Sequence, residues 1–192
     1  MSTPIKQLYF TPKEYLELEG HSPFKHEYQR GLVYAMAGGK KKHVKITTNL
    51  GSLLSVHLFN SPCSVYVADM KVRITTADCY YYPDISVTCS ETDLGNDDDN
   101  FILAPKLIIE VLSKSTEQFD RTDKFSDYQQ ILELEEYVLV SQDKVQVECY
   151  RKQEGEWEGH YYQRGDIVEI VSIGFKCPIE QIYTKVLGFI GV

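Results

Sequence analysis

The sequence predicts a single α/β domain in which a mixed central sheet is flanked by helices. Three observations predict it. Lys106–Leu112 is nearly continuous in apolar residues, the mark of a strand buried on both faces. Helix-period and strand-period segments alternate along the chain instead of falling into blocks. The 192 residues show no internal repeat, low-complexity tract or linker, a length that suits one domain.

The elements follow in order. Thr11-Pro12-Lys13-Glu14 is a capping box with proline in the first turn, and Gly20 fits the stop, so a helix is expected over 12–19. Phe24–Gln29 and Leu32–Ala37 read as a hairpin about Arg30-Gly31, and Gly38-Gly39 breaks the pattern. Val44, Leu50, Leu53, Leu54 and Leu58 give helical spacing across 40–59, which Ser61-Pro62 ends. Cys63–Val67, Met70–Ile74 and Ile85–Cys89 alternate as strands, with Asp69 at a junction. Glu91–Asp99 holds five acids and no base and reads as a solvated loop. A second helix is expected over about 116–132, with Ser115 or Thr116 as its cap. Glu136–Val140 reads as a buried strand. Val145–Arg151 and Trp157–Gln163 form a polar hairpin, and 178–186 a terminal helix.

Composition narrows the class. Hydrophobic residues at 43% and charged residues at 25% exclude disordered and fibrous chains. No apolar run approaches the ~18–20 residues of a membrane span, and Met1–Lys6 lacks the apolar region of a secretory signal. Five cysteines without a Cys-x-x-Cys pair, and an odd count, argue against a complete disulfide framework. The expectation is a reduced, cytoplasmic protein with no membrane partner. A net charge of −8 argues against a nucleic-acid coat protein but leaves room for a local basic face.

One carboxylate stands inside an apolar strand. Glu110 lies between Ile109 and Val111, and an unpaired buried carboxylate costs several kcal/mol unless a cation compensates. Asp84 follows Pro83 at the start of another strand. Two such acids can converge on an oxygen-loving divalent metal. The alternative is that Asp84 caps a turn and Glu110 pairs with a lysine or arginine. Glu117, Arg121, Lys124 and Tyr128 recur at helical spacing and share one face, and on spacing alone Lys124 is by default a solvated helix lysine. Lys40, Lys41, Lys42 and Lys45 form the strongest basic patch, beside His43 at a helix start.

An ordered set of segments resembles a known family. Tyr82-Pro83-Asp84, Leu107–Thr116, Asp120–Phe125 and Tyr137–Val140 are similar to the Uma family of restriction-endonuclease-like proteins, abundant in cyanobacteria. His26-Glu27-Tyr28, Met36-Ala37-Gly38 with His43, and Asp69–Val72 extend the likeness over about 11–185. The family lies within the PD-(D/E)XK nuclease superfamily. The resemblance implies a restriction-endonuclease-like core over the whole chain: N-terminal helix and hairpin 11–37, core about 40–140, C-terminal hairpin and helix 141–192. It implies a Mg²⁺-dependent endonuclease acting on DNA, with Mn²⁺ as an alternative metal and a homodimer among the expected partners.

Residue by residue, Asp84 matches the aspartate of the superfamily motif and Glu110 its acidic position, with the main-chain oxygen of Val111 as a further metal ligand. The superfamily lysine would fall at Leu112, and Lys124 is the best-placed substitute. Glu27 matches a family glutamate and is a third candidate acid, although Arg30-Gly31-Leu32 stands where many members are more acidic. Asp69 and His43 are accessory candidates; the plainer role for Asp69 is an ion pair with Lys71 or Arg73. The lysines at 40, 41, 42 and 45 are candidate DNA contacts. Two other readings stand beside the nuclease: an inactive nucleic-acid or protein-binding module on the same fold, and a metal-dependent hydrolase of small phosphate esters.

Overall fold

A computed structural model of the chain describes residues 9–95 and 99–186. Thr11 opens α1 (Pro12–His21) through the expected capping box, its hydroxyl accepting from Glu14 N–H while Glu14 Oε2 accepts from Thr11 N–H. The hairpin β1 (His26–Gln29) and β2 (Leu32–Ala35) turns at Arg30 and Gly31, with φ of 49° and 91°. Then come α2 (Lys41–His57), β3 (Ser64–Val67), β4 (Lys71–Ile74), β5 (Cys79–Tyr81), β6 (Ile85–Thr88) and α3 (Glu91–Leu94). β7 (Phe101–Ile102), β8 (Pro105–Leu112), α4 (Glu117–Arg121), α5 (Asp123–Tyr128) and β9 (Glu136–Ser141) follow. The chain continues through β10 (Gln146–Gln153), β11 (Glu156–Gln163), β12 (Ile167–Ile170), a 3₁₀ turn at Val171–Ile173, β13 (Phe175–Pro178) and α6 (Ile179–Ile182).

Two sheets dominate. The six-stranded sheet runs β11-β10-β9-β8-β6-β3 and is mixed: β8 pairs parallel with β9 and antiparallel with β6. The five-stranded sheet runs β2-β1-β5-β4-β7, and β12 and β13 form a separate ribbon. Side chains of β8 alternate across the larger sheet. Ile109 and Val111 join Ile46, Leu50 and Leu54 of α2 in one core. Ile108 and Leu112 join Val72, Ile74 and Tyr81 of the smaller sheet in a second. Each fully buried Leu or Ile contributes about 1.5–3 kcal/mol. On the far face of the smaller sheet Tyr15 of α1 packs against Tyr28 and Tyr80, with ring centroids 5.3 and 5.2 Å away. Glu110 shares the Ile108–Leu112 side of β8, so its carboxylate enters the space between the two sheets.

Several expectations need correction. The 116–132 helix breaks at Thr122, whose φ of −120° and ψ of −93° separate α4 from α5. Thr116 makes no side-chain cap bond to the helix backbone. The 178–186 helix shrinks to Ile179–Ile182, because residues 175–178 pair with β12 instead. The acidic segment begins with α3, and Asp93 ties it down by accepting from Thr88 Oγ1 and from the Leu103 and Ala104 N–H groups at 2.8, 2.8 and 3.0 Å. Residues 96–98 of that segment lie outside the described residues. Cys63 and Cys89, flanking the β3–β6 ladder, form a disulfide, so the expectation of fully reduced cysteines fails for this pair. Cys79, Cys149 and Cys177 are buried thiols. Among the described residues, no helix is long and apolar enough to cross a membrane.

Candidate active site

Four elements bring charged side chains to the end of β8. Asp84 enters from the residue before β6, Glu110 from β8, Glu27 from β1 and Lys124 from α5. Lys124 Nζ lies 2.9 Å from Glu110 Oε1, 3.0 Å from Glu27 Oε1 and 3.8 Å from Asp120 Oδ1. Lys124, Glu110 and Asp120 are 5%, 4% and 3% exposed, so this is an interior charge cluster rather than a surface ion pair. The Tyr81 ring lies 5.2 Å from the Lys124 ammonium and adds a cation–π contact.

Asp84 is held on both oxygens. The Val111 N–H donates to Oδ2 at 2.7 Å, and His43 Nε2 lies 2.6 Å from Oδ1. Its own N–H reaches toward Glu110 Oε2 at 3.4 Å. His43 comes from the first turn of α2. A side chain at Gly39 would meet the His43 ring at 2.9 Å, so a residue without Cβ stands there. Glu27 also accepts from the Tyr82 N–H at 3.2 Å, linking the smaller sheet to the segment that leads into Asp84.

The electrostatics follow from burial and crowding. Burial pushes the Glu110 carboxyl well above its usual range, and Asp120 and Asp84 push the same way against the pull of Lys124. Burial likewise raises Asp120, opposed by Lys124 and by the Thr116 hydroxyl. Burial alone would lower Lys124, but Glu110, Glu27 and Asp120 together hold it well above the usual lysine range. His43 is also raised: burial opposes its charge, and Asp84 with the Val111 backbone outweighs it. One ammonium thus faces three acidic groups, and their crowding favours the neutral form of Glu110 and of Asp120.

Crowded acids of this kind suit a further cation, and the donors are the hard oxygens preferred by Mg²⁺ or Mn²⁺. Glu110 Oε1 is buried and makes no directed hydrogen bond, although the ammonium faces it at 2.9 Å. Asp84, Glu110, Glu27 and the Val111 carbonyl therefore fit such an ion in chemistry. Among the described residues, however, no three His, Cys, Asp or Glu side chains already form a cage for one. Lys124 stands between the carboxylates that would have to turn toward it.

The remaining candidates divide. Asp69 does not join the cluster: its exposed carboxylate pairs with Lys25, not with Lys71 or Arg73, because the chain at Ala68 turns with φ of 60° and directs it outward. Lys71 is buried instead against the Tyr82 hydroxyl. Arg121 does not share the Lys124 direction; the break at Thr122 turns it to Glu148 Oε1 at 2.8 Å and Glu117 at 3.1 Å. Lys40 and Lys41 are exposed at the start of α2, where Lys40 supplies no side-chain cap. Lys42 lies 3.5 Å from Asp143, and Lys45 donates to the Lys185 carbonyl at 3.2 Å. Asp120 goes unmarked in the sequence reading. Its i,i+4 spacing to Lys124 was the available signal.

Comparisons with known proteins agree with this architecture. Residues 12–180 match the model of the Uma2 family, described as "Putative restriction endonuclease". An uncharacterized protein of Synechocystis sp. is 39% identical over 183 residues, covering 95% of this chain and 94% of that protein. A second from the same organism is 34% identical over 142 residues, covering 74% and 80%. The crystal structure of "a putative nuclease belonging to DUF820" from Anabaena variabilis superposes with a TM-score of 0.75 at 20% identity, covering 90% of this chain and 97% of that one. At that identity the likeness is one of fold.

Proposed function

The chain belongs to the Uma2 family, and from that premise we propose that it is a metal-dependent endonuclease hydrolysing DNA phosphodiester bonds. The observation that carries this reading is the buried Lys124 ammonium, within 3.0 Å of both Glu110 and Glu27 and one residue-pair removed from Asp84. The cluster holds more acidic groups than basic ones, and an added dication would relieve their crowding.

Asp84, Glu110, Glu27 and the main-chain oxygen of Val111 would hold Mg²⁺, or Mn²⁺ in its place. A bound dication of this kind polarises a phosphoryl oxygen and lowers the pKa of a bound water. Lys124 takes the part of the lysine absent at Leu112. Its ammonium can orient the attacking water by hydrogen bonding and offset the negative charge that develops on the phosphorane oxygens. His43 positions Asp84 by holding Oδ1, while the Val111 N–H holds Oδ2. Lys40 and Lys41, with the uncapped amides of the first α2 turn, offer the phosphate backbone a positive approach. The protein would work in the cytoplasm, where DNA is available.

Plasmid nicking in a Mg²⁺ and Mn²⁺ titration tests the reading. Wild type should nick with a metal-dependent rate that EDTA abolishes, and Asp84→Ala should not. DNA binding without cleavage under every divalent metal would favour the inactive binding module instead.

A further inference from the structure

Asp120 has no part in the roles assigned so far, yet it is buried to 3% exposure one helical turn from Lys124. The Lys124 ammonium reaches Glu110 at 2.9 Å and Glu27 at 3.0 Å but stops 3.8 Å short of Asp120. Beyond the Thr116 hydroxyl, the buried Asp120 carboxylate has a lysine that approaches without closing on it, an unusual expense. The other two contacts belong to the acids expected to hold a metal. The ammonium uses Oε1 of each, and a dication drawing the two carboxylates toward itself would loosen that hold.

We propose that Asp120 is a positioning residue that receives the Lys124 ammonium when Glu110 and Glu27 turn to a divalent cation. The inference rests on the metal-dependent reading above. Lys124 then has two stations within one cluster. In the metal-free protein it contacts Glu110 and Glu27. With a dication present it shifts by about one ångström toward Asp120, still buried and still beside the acids, where it can act on a water. Several features of the fold support the second station. Asp120 and Lys124 straddle the Thr122 break at i,i+4, the spacing at which side chains of one helix face meet. The Tyr137 hydroxyl donates to the Asp120 carbonyl at 2.8 Å and fixes that turn of backbone against β9. Arg121, the neighbouring cation, is committed to Glu148 on the far side and does not compete.

The test is a double-mutant cycle read by Mn²⁺ binding, measured by electron paramagnetic resonance of free Mn²⁺ and by calorimetry, so that it does not depend on cleavage. Asp120→Asn keeps the volume but removes the charge. In an otherwise wild-type chain it should weaken Mn²⁺ by about tenfold or more, the usual loss when a group supporting the ligand shell is removed. In a Lys124→Met chain, with no ammonium to relocate, the same substitution should change Mn²⁺ affinity by less than about twofold, outside the range of coupled neighbours. Lys124→Met alone should bind Mn²⁺ at least as tightly as wild type.

An equal loss in both backgrounds would make Asp120 a direct ligand and overturn the proposal while leaving the metal reading intact. No loss in either would overturn it as well. Failure of every chain, wild type included, to bind Mn²⁺ would overturn the metal reading and this inference with it. Should Lys124→Met fail to fold, Asp120→Glu supplies the second arm. Its extra methylene closes the gap to the ammonium, so it should restore Mn²⁺ affinity lost in Asp120→Asn, and absence of rescue would count against the proposal.

Discussion

Lys124 and Glu110 stand 14 positions apart in the chain, on a helix and a strand, and meet at 2.9 Å between two sheets. Under the proposed function this contact would supply from α5 the cation that Leu112 cannot supply from β8. Lys124→Ala should therefore slow cleavage by about 10²-fold or more while duplex affinity changes little, since the interaction strengthens chiefly in the transition state. Single-turnover rates beside equilibrium binding will show the split. Because the substitution strands buried carboxylates, the variant should also melt earlier.

Lys41 has no ion-pair partner among the described residues and stands in the first turn of α2. Lys41→Ala should weaken DNA binding at low salt and reduce the slope of log affinity against log salt by about one. Its single-turnover rate at saturating protein should stay near wild type. Fluorescence anisotropy over a salt series gives the slope.

Arg121 grips Glu148 of β10 with both terminal nitrogens and so anchors the α4 turn that carries Asp120. Burial alone would raise the Glu148 carboxyl, but the Arg121 hydrogen bonds and charge hold it below the usual range. A carboxyl lowered on folding stabilises the protein above its unfolded pKa of about 4.3, and that stabilisation is lost as pH falls through the folded value. Glu148→Gln should cost about 2 kcal/mol near neutrality. Its melting temperature should fall less steeply than that of wild type below about pH 4.3.

The Cys63–Cys89 disulfide closes a separation of 26 residues across the β3–β6 edge of the larger sheet. Denatured without reductant, the protein should titrate three thiols; with reductant it should titrate all five. Cys63→Ser should lower stability by about 3 kcal/mol under oxidising conditions and match wild type in reductant. In a reducing cytoplasm the ladder would have to hold without the bridge.

Much of this fold was legible because its signals are local. The β8 run is apolar on both sides since both sides are covered, and Glu110 interrupts it visibly. The Thr11–Glu14 box needs only neighbouring residues to form. What the sequence hid depends on distant contacts. The Thr122 break turns Arg121 and Lys124 to different partners, which an unbroken helical wheel cannot anticipate. Asp69 sits at a strand junction, where a backbone at φ of 60° for Ala68 decides its direction. Among the described residues β12 and β13 pair only with each other, and they carry no strong turn signal beyond Gly174. Of the candidate site, motif order marks the acids and Lys124, and only the i,i+4 spacing to Lys124 marks Asp120.

Glu110→Gln tests whether Glu110 belongs to a metal-dependent hydrolytic centre. The substitution keeps the side chain's size and removes its charge. Labelled duplex should be cleaved under saturating protein in Mg²⁺, and the variant should be slower by about 10³-fold. Its duplex affinity should stay within about threefold of wild type, as befits a group that acts on the transition state more than on binding. Cleavage by Glu110→Gln at the wild-type rate, with both chains equally folded, would contradict a nuclease centre at the end of β8.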